Sequence, residues 1–514
     1  TTAPVAGLIV RLGIPTVLSM LVTALYNTVS TFYVSYLGTS AVGAMGVAFA
    51  LQMIIQALGI TVGQGCASQA SRLLGAKEYA KAHETASSAL FTSLLLGVLF
   101  SGASLFGLEA LLTVMGATET ILPFAVAYAK PVLYAAPFMA AAFTLNNILR
   151  SEGMAFVGMI GLGIGGILNM AVAPFFIFTC DLGISGAGWA TALFQTVSFA
   201  ILLSYFAAGR GSIRLSPFLI SKSLRTYGTL LRLGTPSLSR NILGAVAASA
   251  LNLMAGVYGD AAVAAMSIVG RVMMVTSAAM IGIGQGYQPV LGYNWGAKVD
   301  RVLKAVDATL AMSTGLMTVL GILGFVFAEE VVAFFRTEDP AVVQIGVEAL
   351  VLQCLVAPIV PVSVVSNMTY QVLGRAGIAT FLACLRQGFF FLPLILILPR
   401  FLGLYGIETA QPLAELLSFL ICIGFVVRFR REAAHLAADA GLNGTGRNPS
   451  QAESQTILLI SPASVVTGGC LVFNGQFSML EKDSFERTHI LEKKDRQKLA
   501  PLPANITISP QETG

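Results

Sequence analysis

The sequence predicts an all-α membrane protein of 12 transmembrane helices, arranged as two pseudo-symmetric six-helix lobes (a parallel repeat) around a central cleft. Three observations predict it. Of 514 residues, 56% are hydrophobic and 11% charged, where a soluble domain is about a quarter charged, so lipid is the solvent this chain suits. Apolar runs recur along it, each near the roughly 20 residues that cross a hydrocarbon core about 30 Å thick. The second half also repeats the first at a nearly fixed offset.

The elements follow in order. The first lobe, residues 1–208, carries runs near 13–37, 44–66, 85–107, 121–149, 154–178 and 185–208. A basic linker, 209–232, joins it to a second lobe, 233–431, with runs near 231–257, 262–293, 306–328, 341–372, 377–398 and 404–429. The tail, 432–514, mixes a polar linker, a Pro- and Gly-broken apolar stretch and a charged end. It reads as a cytoplasmic, disordered appendage. Basic residues set the orientation: Arg72, Lys77 and Lys81 follow the second run, Arg210, Arg214, Lys222, Arg225 and Arg232 follow the sixth, and Lys298, Arg301 and Lys304 follow the eighth. Every even-numbered run ends on the basic side, which places both termini in the cytoplasm of a multi-pass plasma (inner) membrane protein.

The repeat is an ordered series of matches. Leu12, Gly13 and Pro15 fall on Leu233, Gly234 and Pro236, and Gly38 on Gly259. Gly63-Gln64-Gly65 falls on Gly284-Gln285-Gly286, and Gly75-Ala76-Lys77 on Gly296-Ala297-Lys298. Two lobes with parallel topology and a shared cleft can rock about one another, the mechanical basis of alternating access. A carrier acting as a monomer is the expectation.

Several chemistries lack their residues. Six cysteines and three histidines are scattered singly, with no metal-ligand spacing. Neither HExxH nor GxSxG is present, and the Gly-Gln-Gly segments lie inside helices with no Walker lysine after them. The expectation is no enzyme activity, no cofactor, no metal and no nucleic-acid partner. The partners are the bilayer and a small organic substrate.

Ionisable groups inside a bilayer face a cavity or a partner, because burial in lipid costs several kcal/mol. Four stand out in the second lobe: Arg240, Arg271, Arg386 and Glu415. Glu415 is the candidate proton or cation site, with the arginines tuning it and contacting substrate. The structural alternative is an Arg–Glu network pinning helices, with Arg240 and Arg386 snorkelling to the near face. In the first run Ser19, Thr23, Asn27 and Ser30 share a helix face with Tyr26. They read either as cleft lining or as helix–helix hydrogen bonding; Gln52 and Gln56 are read the same way. Pro15 and Pro236, equivalent in the repeat, are hinge candidates, since proline frees a backbone carbonyl and bends a helix.

Gly284-Gln285-Gly286-Tyr287-Gln288-Pro289 running into Asn294-Trp295-Gly296-Ala297-Lys298 resembles the MATE (multidrug and toxic compound extrusion) family, as do Arg386-Gln387-Gly388 with Pro393, the 146–153 segment, and Gln411-Pro412-Leu413-Ala414-Glu415. The similarity covers residues 11–431 and is greatest to the prokaryotic multidrug-exporter branch. It implies a secondary antiporter that exports amphipathic organic compounds against inward H+ or Na+, with Gln285 and Gln288 among the candidate binding residues. Departures from the family pattern are equally specific. Ser30 stands where the helix 1 carboxylate is usual, and Asn169 keeps its place in helix 5 while Ala173 replaces the carboxylate before Pro174. Coupling would then pass through Glu415 or through sodium held by neutral oxygens. Three membrane arginines against one glutamate leave an organic anion or an anionic lipid-linked precursor as an alternative cargo. Loss of both carboxylates leaves a transport-inactive sensor or scaffold as another.

Overall fold

The computed structural model describes residues 4–297, 300–335 and 340–442. Its framework is twelve long helices: α1 (Val5–Ser35), α2 (Thr39–Gly75), α3 (Tyr79–Phe106), α4 (Leu122–Ser151), α5 (Ala155–Thr179) and α6 (Gly183–Ala207), then α7 (Leu224–Gly256), α8 (Asp260–Ala297), α9 (Asp300–Val326), α10 (Pro340–Val372), α11 (Ala376–Leu402) and α12 (Leu404–Leu442). No strand occurs among the described residues. Short helices follow α3 (Leu108–Val114) and α9 (Ala328–Phe335), so even this minor element recurs in the repeat. The tail from residue 443 onward, and Lys298, lie outside the described residues.

Eleven of the twelve are long and apolar enough to cross a membrane; α7 is not among them. Arg240, Asn241, Ser249 and Asn252 interrupt its apolar run. The helices also outrun the apolar segments that announce them. α2 continues to Gly75 and α7 starts at Leu224, seven residues before the expected 231. Hydropathy marks only the part of a helix in hydrocarbon, whereas its backbone hydrogen bonds continue into the headgroup region.

Buried apolar side chains form four clusters. Two belong to the first half, one around Leu51, Leu133 and Ile177 and one around Leu145, Leu149 and Leu202. Two belong to the second, around Tyr287, Leu291 and Tyr370 and around Leu350, Phe391 and Ile395. Ile9 and Leu12, at the start of α1, join a second-half cluster. The halves therefore have separate cores and meet along a seam.

That seam is made by glycines, and it obeys the repeat. On one side α1 meets α8: a methyl group on Gly13 would sit 3.3 Å from the Gly282 carbonyl oxygen, and one on Gly286 would sit 2.6 Å from the Gly13 nitrogen. On the other, α7 meets α2: a methyl on Gly234 would strike the Thr61 carbonyl and one on Gly65 the Leu230 carbonyl. Gly13 is the repeat mate of Gly234, and Gly65 of Gly286, so the two contacts are one contact made twice. This is the small-residue close approach used between membrane helices. Arg72 of α2 adds an interlobe bond, donating to the Leu373 carbonyl at 3.2 Å. All these contacts lie at the helix ends that carry the basic loops.

The linker between the lobes is strapped to the first. The Ile213 amide donates to the Glu152 carboxylate, Arg214 N to His83 Nδ1 at 3.2 Å, Ser216 N to Ser87 Oγ at 3.2 Å and Ser221 N to Ser88 Oγ at 2.9 Å. Ile213 itself is buried. Glu152 lies in the turn after α4, and partial burial raises its pKa to about 7 despite the backbone amides it accepts.

Two outcomes are expected. Gly65→Val overpacks the seam by about 1–3 kcal/mol, so a cysteine placed at Ser237 reacts faster with an impermeant thiol reagent from the basic side; unchanged labelling would refute the seam. A carboxyl with a pKa raised on docking favours the docked strap most below its ordinary value of 4.5, and that advantage disappears as pH rises through about 7. Exchange of the Ile213 amide should therefore accelerate between pH 5 and 8 beyond its intrinsic base catalysis, and Glu152→Gln should abolish the excess.

Candidate functional site

Away from the basic ends the same helix faces stop touching. Continuing the contact stripe of Gly234 along α7 at helical spacing reaches Asn241, Ala245, Ala248 and Asn252, all exposed. The stripe of Gly282 on α8 reaches exposed Val275 and Arg271, and that of Gly13 and Val17 on α1 reaches exposed Thr28 and Thr31. The helix faces that pack together at the basic side are thus exposed further along. The polar stripe of Asn241 and Asn252 is what dilutes the hydropathy of α7. Arg271 is exposed and makes no hydrogen bond or ion pair with another described residue.

In the first lobe the site is polar and neutral. Ser30 Oγ donates to Asn169 Oδ1 at 2.8 Å, joining α1 to α5 across 139 residues. The Asn169 amide reaches Thr191 Oγ1 at 3.5 Å, Thr191 meets the Tyr128 hydroxyl at 3.3 Å, and Gln52 Nε2 donates to that hydroxyl at 2.9 Å. All five side chains are buried. Ser30, at one of the two positions singled out as lacking a carboxylate, is thus bonded to Asn169, in a network that needs no charge to be satisfied. Tyr26 is buried beside them, its ring 4.8 Å from that of Phe194. The side chain of Asn27 lies outside what the structure describes. Tyr128 and Thr191 were not foreseen, because a lone Tyr and a lone Thr in apolar helices carry no pattern.

The second lobe holds the charge. α11 widens into a π-helical turn at Leu385–Phe391, a feature common at functional sites. Within it Arg386 pairs with Glu415 of α12, Nη1 to Oε1 at 3.2 Å. Gln411 Nε2 donates to the same oxygen at 2.9 Å. The other carboxylate oxygen, Oε2, is buried with no partner, as are the hydroxyls of Ser418, one turn along α12, and Ser363 of α10. Arg240 of α7 donates to Asn367 Oδ1 of α10 at 3.3 Å. Both arginines are therefore engaged inside the lobe rather than extended to the membrane face.

The sequence reading counted one membrane glutamate, and the structure corrects it. Glu408, two turns before Glu415 on α12, is 2% exposed with Oε2 unpartnered. Glu348 of α10 lies close enough for their like charges to interact. Each sits within a few turns of the end opposite the basic loops; the signal was available, since both stand inside the apolar runs 341–372 and 404–429.

The remaining candidates lie at the seam. Gln285 accepts a hydrogen bond from Arg150 of the first lobe. Gln288 donates to Gln371 at 3.2 Å, and Gln371 donates to the Leu233 carbonyl at 2.9 Å and Ser237 Oγ at 3.1 Å. Pro15 and Pro236 are buried two residues beyond the seam glycines Gly13 and Gly234. One set of residues thus forms the closure and another the cleft.

Comparison with known proteins gives a consistent pattern. The MatE family profile matches residues 15–175 and 236–397, one block in each half. The multidrug export protein MepA of Staphylococcus saprophyticus is 26% identical over 424 residues, spanning 81% of this chain and 92% of its own length. A multidrug resistance MATE transporter of the MOP superfamily, solved in an outward-facing conformation, superposes with a TM-score of 0.78 at 26% identity over 84% of this chain and 97% of that one. A MOP superfamily transporter from Pyrococcus furiosus, described as having a binding pocket of reversed polarity, superposes with a TM-score of 0.77 at 25% identity, over 83% of this chain and 96% of that one.

Proposed function

The chain belongs to the MatE family, and from that membership we propose an antiporter that exports amphipathic organic compounds through the cleft, coupled to inward H+ or Na+ at Glu415. The relatives it resembles along most of their length are multidrug exporters. The observation that carries the coupling assignment is the Glu415 carboxylate, with one oxygen held by Arg386 and Gln411 and the other buried and unpartnered. A buried carboxylate left half satisfied is costly. A proton or a small cation at Oε2 relieves that cost.

The coupling reaches the seam through α10. Protonation weakens the attraction between Glu415 and Arg386, whose charge also acts on Arg240. Arg240 holds Asn367, one turn from Gln371, which binds the seam end of α7. Glu415 thus biases an element that belongs to the closure, which is the requirement for one site to shift a two-state equilibrium. With the basic loops in the cytoplasm, closure at the basic-side seam corresponds to an outward-facing state of the antiporter. Both lobes lie in one chain, so a monomer is complete.

A second reading of the cargo rests on Arg271, the charged side chain exposed on the cleft face of α8 without a described acidic partner. A cleft of that polarity favours an organic anion, or an anionic lipid-linked precursor, over a drug cation.

Both readings are open to measurement in proteoliposomes with separately imposed proton and sodium gradients. Glu415→Gln mimics the protonated state, and ion-driven accumulation should fall about 5–150-fold, the usual span of a coupling energy, while binding of the cargo persists. Undiminished coupled flux would remove Glu415 from the mechanism. Organic anions outcompeting quaternary amines would select the second cargo, and Arg271→Gln should then reverse the preference.

A further inference from the structure

α4 ends at the seam with a charge that no acid balances. Arg150 is 8% exposed, and the hydrogen bonds it makes run to neutral amides: Nη1 to Oε1 of Gln285 on the other lobe, and Nη2 to Oδ1 of Asn147. Its Nε is buried without an acceptor. Among the described residues no carboxylate forms an ion pair with it; the adjacent Glu152 is turned to the linker amide of Ile213. Arginine does not discharge itself by losing its proton, and a guanidinium buried among neutral groups costs several kcal/mol.

Beside Arg150 is a small cavity lined by Ala67 of α2, Asn147, Arg150 and Ser151 of α4, and Gln285 and Gln288 of α8. It has room for one water-sized occupant. Gln285 turns its oxygen to Arg150, leaving an amide nitrogen that makes no hydrogen bond with another described residue. The cavity therefore lies beside an unbalanced positive charge and is walled by side chains of both lobes, so it exists only while the lobes are together.

We propose that this cavity binds a small inorganic anion of chloride size, which bridges Arg150 of one lobe and Gln285 of the other and locks the basic-side seam. Parting the lobes would take Gln285 away and expose Arg150 to water, so the anion binds the closed seam in preference to the open one. It shifts the population toward a cleft open on the opposite side, by linkage alone. The second copy of the repeat lacks the device: Leu149 and Gly153 match Leu373 and Gly377, which puts Gly374 in the place of Arg150, with the Arg72 side chain against it.

The test uses the purified full chain in nanodiscs, with fluorescent labels on the cleft ends of α1 and α7 reporting the separation of the lobes. Chloride is exchanged for gluconate at constant ionic strength, with inorganic phosphate as a third arm. Chloride at ten times its dissociation constant should raise the ratio of closed-seam to open-seam molecules about tenfold and raise the thermal unfolding midpoint, whereas gluconate should do neither. Arg150→Gln should lose the chloride response and Arg150→Lys should keep a weaker one. Equal behaviour in chloride and gluconate overturns the proposal even where the variants fail to fold. So does a response to phosphate alone, or a chloride response that survives in Arg150→Gln.

Discussion

Helix backbones in van der Waals contact across the seam are the constraint on which the other features depend. Where Gly13 meets Gly286 and Gly65 meets Leu230 there is no room for a β-carbon, so the lobes can be fully together or apart, with little between. Close-packed interfaces behave as bistable rather than continuously deformable. Because the contact is made twice by repeat-related residues, it forms or breaks symmetrically about the centre of the molecule. Further along, the same helix faces carry the exposed residues Asn241, Asn252, Thr28 and Arg271.

Symmetry of the backbone does not extend to the charges. Ser30, Asn169, Thr191, Tyr128 and Gln52 satisfy one another as neutral groups in the first lobe. The second lobe keeps Arg386 against Glu415 and Arg240 against Asn367. A neutral network imposes little desolvation cost and has no charge state to change, whereas a buried pair with an open carboxylate oxygen has both. The division leaves the first-lobe network neutral and places the buried ion pair in the second lobe. Arg150 is the exception in the first lobe, and it sits at the seam, where its burial depends on the position of the other half.

Much of the architecture was legible in the sequence because it follows from solvent. Apolar runs of membrane length, basic loops on alternate turns and an ordered repeat report how the chain divides between lipid and water, one residue at a time. Helix ends were less legible. Residues 67–75 of α2 and 224–230 of α7 are helical beyond the apolar edge, where hydrogen bonding rather than hydropathy decides. The glycines of the repeat were recognised as a pattern, but their contact with the opposite lobe was not, since a glycine carries no sign of what lies against it.

By itself the sequence determined the all-helical membrane fold, the twelvefold count, the repeat and the four ionisable groups Arg240, Arg271, Arg386 and Glu415, because each is a property of single residues or their spacing. Only the tertiary structure decided which of these act together. It paired Arg386 with Glu415, turned Arg240 to Asn367, joined Ser30 to Asn169, left Arg271 facing the cleft and placed Gln285 against Arg150. Such partnerships join positions as many as 139 residues apart. The physical reason is that a polar group in lipid must find a partner, while its own sequence neighbourhood, already committed to helical hydrogen bonds, rarely supplies one.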